Sequence, residues 1–82
     1  MSVANLSLQV LPIVPDEQVY PVVDEVIKFI ENSGCKYEVG PMETTLEGEL
    51  DVLLDIVKKA QEICIREGAS RVISVVKIDY NP

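Results

Sequence analysis

Residues 36–49 read KYEVGPMETTLEGE. Two short alternating runs flank Gly40-Pro41. In the first, Tyr37 and Val39 share one face while Lys36 and Glu38 share the other. In the second, Met42, Thr44 and Leu46 fall on one face and Glu43, Thr45 and Glu47 on the other. Alternation of period two is the mark of a strand, and the two threonines favour one. The connection is too short for a crossover, so the strands are expected to be antiparallel neighbours.

A helical pattern lies on each side of this hairpin. Before it, residues 16–34 read DEQVYPVVDEVIKFIENSG, with Val19, Val22, Val23, Val26, Ile27 and Ile30 forming one apolar stripe. Pro21 suits a first turn, Asp16, Glu17, Asp24 and Glu25 crowd the amino end, and Gly34 supplies a left-handed stop. After it, residues 50–68 read LDVLLDIVKKAQEICIREG, with a stripe of Leu50, Leu53, Leu54, Val57, Ala60, Ile63 and Cys64, ended by Gly68. Gly48 separates the preceding strand from this helix and is expected to allow a tight turn or the close approach of a ligand.

Two further strands lie at the ends. Residues 2–15, SVANLSLQVLPIVP, place Ala4, Leu6, Leu8 and Val10 on one face and Asn5, Ser7 and Gln9 on the other; Pro12 and Pro15 close the ladder. Residues 71–80, RVISVVKIDY, are apolar on both faces, with Val72, Val76 and Ile78 on one and Ile73 and Val75 on the other, which suits a strand buried on both sides. The order strand–helix–strand–strand–helix–strand predicts an α+β, ferredoxin-like split βαβ sandwich over residues 1–82 as a single domain. Its four-stranded antiparallel sheet is expected in the order 4-1-3-2, with two helices on one face. The other face needs water, a ligand or a second subunit, and sheet-to-sheet association would enlarge a core that 82 residues keep small.

Composition narrows the function. Seven basic side chains face fourteen acidic ones, a net charge of -7. Nucleic acid and anionic membranes are disfavoured, and a cationic small molecule or basic partner is tolerated. The chain has no histidine, which removes the commonest acid–base catalyst and zinc ligand. No signal-peptide pattern opens the sequence and no apolar run approaches the roughly 20 residues that span a bilayer, so the expected compartment is the cytosol. Cys35 and Cys64 form no paired redox or soft-metal motif; Cys64 belongs to the helical stripe and Cys35 reads as structural. Glu43, Glu47 and Glu49 read as a charge run, because no activated nucleophile or metal motif accompanies them. Arg71 and Lys77 read as surface or ion-pairing residues.

The polar face of the sheet is the candidate site. Asn5, Ser7 and Gln9 of the first strand would lie beside Thr45 and Glu47 of the third, with Glu38 from the second. These groups could bind a small polar molecule, or simply meet water and cross-strand neighbours. Tyr37 could stack on a flat ring or pack.

The run from Ser33-Gly34 through YEVGPMETTLEGE to Glu49, together with RVISVVKIDY at 71–80, resembles the YkoF/MTH1187-like family of thiamine-binding proteins over nearly the whole chain. The resemblance implies a ferredoxin-like domain that associates through its sheet into homodimers or homotetramers. It implies non-enzymatic binding of thiamine or its hydroxymethylpyrimidine moiety, in uptake or salvage, with that ligand in place of any cofactor or metal. The motif positions are Tyr37, Glu38, Gly40, Pro41, Thr44, Thr45, Glu47 and Gly48; alternation favours Thr45 and Glu47, then Glu38, for an open-face site. Thr44, Asn5, Ser7 and Tyr37 complete the candidate set. Some relatives extend past the last strand, whereas this chain ends at Pro82.

A reading of another class is a small regulatory or structural oligomer whose sheet face binds protein. An acylphosphatase-like enzyme would need an arginine-bearing phosphate loop before the first helix, where this chain has the acidic PIVPDEQVYP of residues 12–21. An RNA-binding module would need aromatics on the central strands.

Overall fold

The alternation of the first strand sets the two sides of the sheet. In the computed structural model, which describes residues 3–82, β1 (Val3–Pro12) buries Ala4, Leu6 and Leu8 on one side and leaves Asn5, Ser7 and Gln9 on the other. β3 (Thr44–Glu49) pairs with it antiparallel, Leu46 opposite Leu6 and Thr45 opposite Ser7, so the two patterns reinforce each other. β2 (Lys36–Val39) pairs with β3 on its outer edge, and β4 (Val72–Tyr80) pairs with β1 on the opposite edge. The order is β2-β3-β1-β4, antiparallel throughout, as expected from the sequence. The helices cover one face, which makes the fold ferredoxin-like.

α1 (Val19–Asn32) follows a 3-10 turn, Asp16–Gln18, whose Gln18 N–H donates to the Pro15 carbonyl at 2.8 Å. It buries Val22, Val26 and Ile30, spaced four apart, while Val19, Val23 and Ile27 stand at the margin of the stripe. Gly34 ends it with a φ of +79°, a conformation that costs glycine least. α2 (Leu50–Arg66) ends on Gly68, φ +107°, where Ala69 N–H reaches the Cys64 carbonyl and Gly68 N–H reaches Ile65, each at 3.0 Å. These two bonds form a Schellman cap, and the buried Ala69 provides its apolar contact.

Four expectations need correction. In α2 the buried set is Leu53, Ile56, Ala60, Ile63 and Cys64; Leu54 is 43% exposed and Ile56 is buried in its place, because α2 packs on α1 as well as on the sheet. Gly48 does not make a turn. It lies inside β3 opposite Ala4, and an added Cβ would meet Leu53 Cδ2 at 3.5 Å and Cys35 Sγ at 3.6 Å, ordinary contacts. Met42 lies in the hairpin loop and is 71% exposed, so the strand begins at Thr44. β4 is not buried on both sides in the single chain. It is an edge strand: α2 covers its start, where Val72 packs on the core and Ser74 bonds to Gln61, and it is exposed from Val75 to Tyr80.

Leu6, Leu46 and Leu53 are fully buried where the helices press on the central strands. Leu6→Ala is expected to cost about 2–5 kcal/mol, a large share of the stability of a small domain. Leu54→Ala is expected to cost under about 0.5 kcal/mol. Urea unfolding of the two variants checks the assignment of the α2 face as well as the core.

Candidate functional site

Strand pairing assembles the open face into two rows of side chains. One row runs Lys36, Glu47, Asn5, Asp79 across β2, β3, β1 and β4; the next runs Glu38, Thr45, Ser7, Lys77. Residues opposite each other across a pair stand about 5 Å apart, and the two rows are separated by roughly 7 Å along the strands. Five of the predicted site residues, Asn5, Ser7, Glu38, Thr45 and Glu47, are therefore neighbours on rigid backbone. Two shallow hollows lie over them. One is lined by Lys36, Glu38, Thr45, Glu47 and Asn5, and the other by Asn5, Ser7, Thr45, Lys77 and Asp79, with Glu43 at its rim.

Glu47 is held by Lys36, Nζ to Oε2 at 3.2 Å. The lysine side chain is 80% exposed, so the pair is a surface bridge worth about 0–1 kcal/mol and leaves carboxylate lone pairs free. No other ion pair forms among the described residues of this face. The rows thus present carboxylates, ammonium groups, a side-chain amide and two hydroxyls to solvent. The chemistry available is multiple hydrogen bonding. Among the described residues no group of three or more Cys, Asp or Glu side chains is arranged to hold a metal ion.

Thr44 and Tyr37 fall elsewhere. Thr44 pairs with Leu8 and Tyr37 with Leu46, so both side chains belong to the helix side of the sheet. The TT pair of the motif straddles the sheet, with only Thr45 on the open face. Thr44 is 8% exposed and lines a separate cleft of about 170 Å³ between α1 and the β2–β3 hairpin. Its walls are Val23, Val26, Ile27 and Ile30 of the helix on one side and Val39 with the loop at 40–43 on the other, over a floor of Leu8 and Val10. The loop is closed by the Gly40 N–H donating to the Glu43 carbonyl at 2.8 Å. A Cβ on residue 40 would stand 3.0 Å from that oxygen, so glycine lets the loop close this tightly.

Two sets of residues escaped the sequence reading. Lys77 and Asp79 join the open face because β4 pairs with β1; the parity they share with Ile73 and Val75 carried that signal. The cleft had no such signal, since helix, strand and loop meet there only in three dimensions.

Comparison with known proteins follows the same geometry. The sequence model described as thiamine-binding protein matches residues 6–82. A UPF0045 protein of Clostridium perfringens is 66% identical over 80 residues, covering 98% of this chain and 84% of that protein. Among solved structures, a domain of unknown function from Bacillus cereus superposes with a TM-score of 0.94 at 53% identity, covering all of this chain and 80% of that one. A Thermotoga maritima protein, provisionally described as acting in thiamine biosynthesis or salvage, gives a TM-score of 0.88 at 37% identity, covering 96% of this chain and 84% of that one.

The two cysteines are unpaired and differently placed. Cys35 is partly accessible, its Sγ donating to the Glu47 carbonyl at 3.3 Å, which ties the entry of β2 to β3. Cys64 is fully buried, and desolvation raises its pKa above the ordinary 9.0, against a smaller backbone hydrogen-bond effect that lowers it. The thiolate is thus disfavoured by folding, and this contribution to stability is lost as pH rises through the alkaline range. A thiol reagent at mildly alkaline pH is expected to label Cys35 in the folded protein and Cys64 only on unfolding. Mass spectrometry of labelled peptides before and after urea checks this.

Proposed function

The chain belongs to the thiamine-binding protein family, and from that premise we propose that its open sheet face binds thiamine or its hydroxymethylpyrimidine moiety in the cytosol without catalysing a reaction. The observation that carries this reading is the juxtaposition of Glu47 and Thr45 on neighbouring rows of β3, flanked by Glu38, Asn5 and Ser7. An aminopyrimidine offers an exocyclic amine and ring nitrogens. The free lone pairs of Glu47 accept from the amine, and the Thr45 hydroxyl donates to or accepts from the ring. Asn5 and Ser7 supply further partners one strand away. The cationic thiazolium of thiamine suits a chain of net charge -7. The absence of histidine from the sequence supports binding without turnover. A role in salvage of the vitamin accords with the description of the Thermotoga relative.

A flat face binds a small molecule weakly unless something covers it. The cover proposed is a second copy. Beside the polar rows, the same face exposes Leu11, Ile73 and Val75 at 40%, 41% and 52%. An apolar patch continuous with a polar site favours sheet-to-sheet association into a dimer, or a tetramer of two such pairs.

Titration calorimetry with thiamine and with free hydroxymethylpyrimidine is the first test. Saturable binding is expected, weakened about 10- to 100-fold by Glu47→Gln or Thr45→Val, the range for losing a hydrogen bond to a charged or buried group. Absence of heat with either compound overturns the assignment and favours a protein-binding sheet face. Light scattering tests the cover: the parent is expected to be dimeric or larger, and Ile73→Glu with Val75→Glu is expected to give monomers, since carboxylates cannot be buried unpaired in such an interface. A monomeric parent overturns the self-association.

A further inference from the structure

We propose that the free edge of β4 pairs antiparallel with the β4 edge of a second copy, about a two-fold axis through Ile78, setting Lys77 of each chain opposite Asp79 of the other. This edge contact is distinct from the face-to-face cover by a second copy. It rests on that reading in one respect, since it joins two face-paired dimers into a tetramer.

The edge is open to a further strand. β4 is last in the sheet order and bonds to β1 along one side. Its outer N–H and C=O groups therefore project beyond the sheet, a template for another strand. The strand is nine residues long and contains no proline. Its register with β1 runs unbroken from Tyr80 to Val72, so no bulge twists the edge away. On the helix side Val76, Ile78 and Tyr80 are 38%, 42% and 44% exposed, beyond the point where Gln61 of α2 reaches Ser74. A second β4 laid along this edge covers all three.

Charge selects the register. A two-fold axis normal to the sheet keeps both copies' helices on one side, so residues of like parity stand opposite. Centred on Ile78, Lys77 meets Asp79 of the second copy and Asp79 meets its Lys77, two ion pairs on the open face. On the helix side Ile78 meets Ile78 and Val76 meets Tyr80, a β-branched and aromatic pair of the favoured kind. Centred on Lys77, two lysines stand opposite and repel. Centred on Val76, Lys77 faces Val75 and Asp79 faces Ile73, so neither charge gains a partner. Centred on Val75, Asp79 faces Arg71, which precedes the strand, and Lys77 is left against Ile73. Ile78 is the centre that pairs both charges within β4.

A contact running only from Val76 to Tyr80 is small beside a stable interface. Two such edges act together when the faces are also engaged, in a closed tetramer of D2 symmetry.

Light scattering on the full chain is expected to report a tetramer. Val76→Lys with Tyr80→Lys, both away from the open face, is expected to halve the mass by setting lysines opposite each other. Lys77→Asp is expected to do the same, and the swapped pair Lys77→Asp with Asp79→Lys to restore the tetramer. Ile78→Cys in a Cys35→Ser background is expected to form an intermolecular disulfide, since opposite Cβ atoms stand about 4.5–5.5 Å apart. A tetramer that persists in the double lysine variant overturns the edge pairing, as does a fall to monomers in Lys77→Asp. A parent dimer that Ile73→Glu with Val75→Glu takes to monomers overturns the edge and keeps the face. A parent dimer that survives those two changes and cross-links through position 78 keeps the edge and overturns the face. A monomeric parent overturns both. The register is overturned if the swap does not restore the tetramer, or if Val75→Cys cross-links and Ile78→Cys does not.

Discussion

Everything in this structure depends on the register between β1 and β3. Leu6 opposite Leu46 and Leu8 opposite Thr44 place the apolar side of both central strands under the helices. Because side chains alternate strictly, the same pairing places Asn5 beside Glu47 and Ser7 beside Thr45 on the other side. A slip of one residue would send leucines to water and a carboxylate under the helices, which is why a half-buried pair holds its register so firmly. The polar rows are a by-product of core formation in this sense: they cannot be displaced without unmaking the core. Groups fixed in this way lose little conformational freedom when a ligand arrives, a favourable starting point for recognition by several weak hydrogen bonds.

The same alternation explains what could be read from the sequence. Asn5, Ser7, Glu38, Thr45 and Glu47 were legible as one face because period two is a local property, and the short hairpin fixed which strands adjoin. The element order and the strand order β2-β3-β1-β4 followed from the patterns and the connection lengths. Tyr37 and Thr44 were grouped with the site through the motif they belong to, although their own alternation puts them on the far side. Helix faces were less legible. A stripe seen along α2 includes both Leu54 and Val57 beside the true core positions, and only tertiary packing selects Ile56 over Leu54. The cleft lay beyond sequence reading altogether, since its walls come from residues 23–30 and 39–44, brought together by tertiary contact.

β4 shows how a pattern can be sound and its first interpretation incomplete. Its apolar residues on both faces signal burial, yet in the isolated chain Val75, Val76, Ile78 and Tyr80 are 38% to 52% exposed. The strand also leaves one edge of backbone donors and acceptors unpaired, the usual point at which a sheet extends or aggregates. Lys77 and Asp79 interrupt the apolar run on the open face, while no charge interrupts it on the helix side between Val72 and Tyr80. The two faces of this one strand therefore have different requirements: the open side tolerates water around its charges, and the helix side does not.

That asymmetry extends to the sheet as a whole. One side offers fixed charges and hydroxyls on a flat surface, where affinity depends on excluding water by some additional cover. The other offers a cleft with mostly apolar walls and a single hydroxyl, that of Thr44. The consecutive threonines of the motif contribute one residue to each side, Thr44 to the cleft and Thr45 to the rows. In a strand, adjacent residues of the same type must serve opposite faces, so a TT pair in the sequence is better understood as two separate constraints than as one. The glycine and proline before it shape the loop over the cleft, and the glutamates around it line the open face. A motif of fourteen residues, 36–49, thereby specifies two surfaces of different chemistry on a single hairpin.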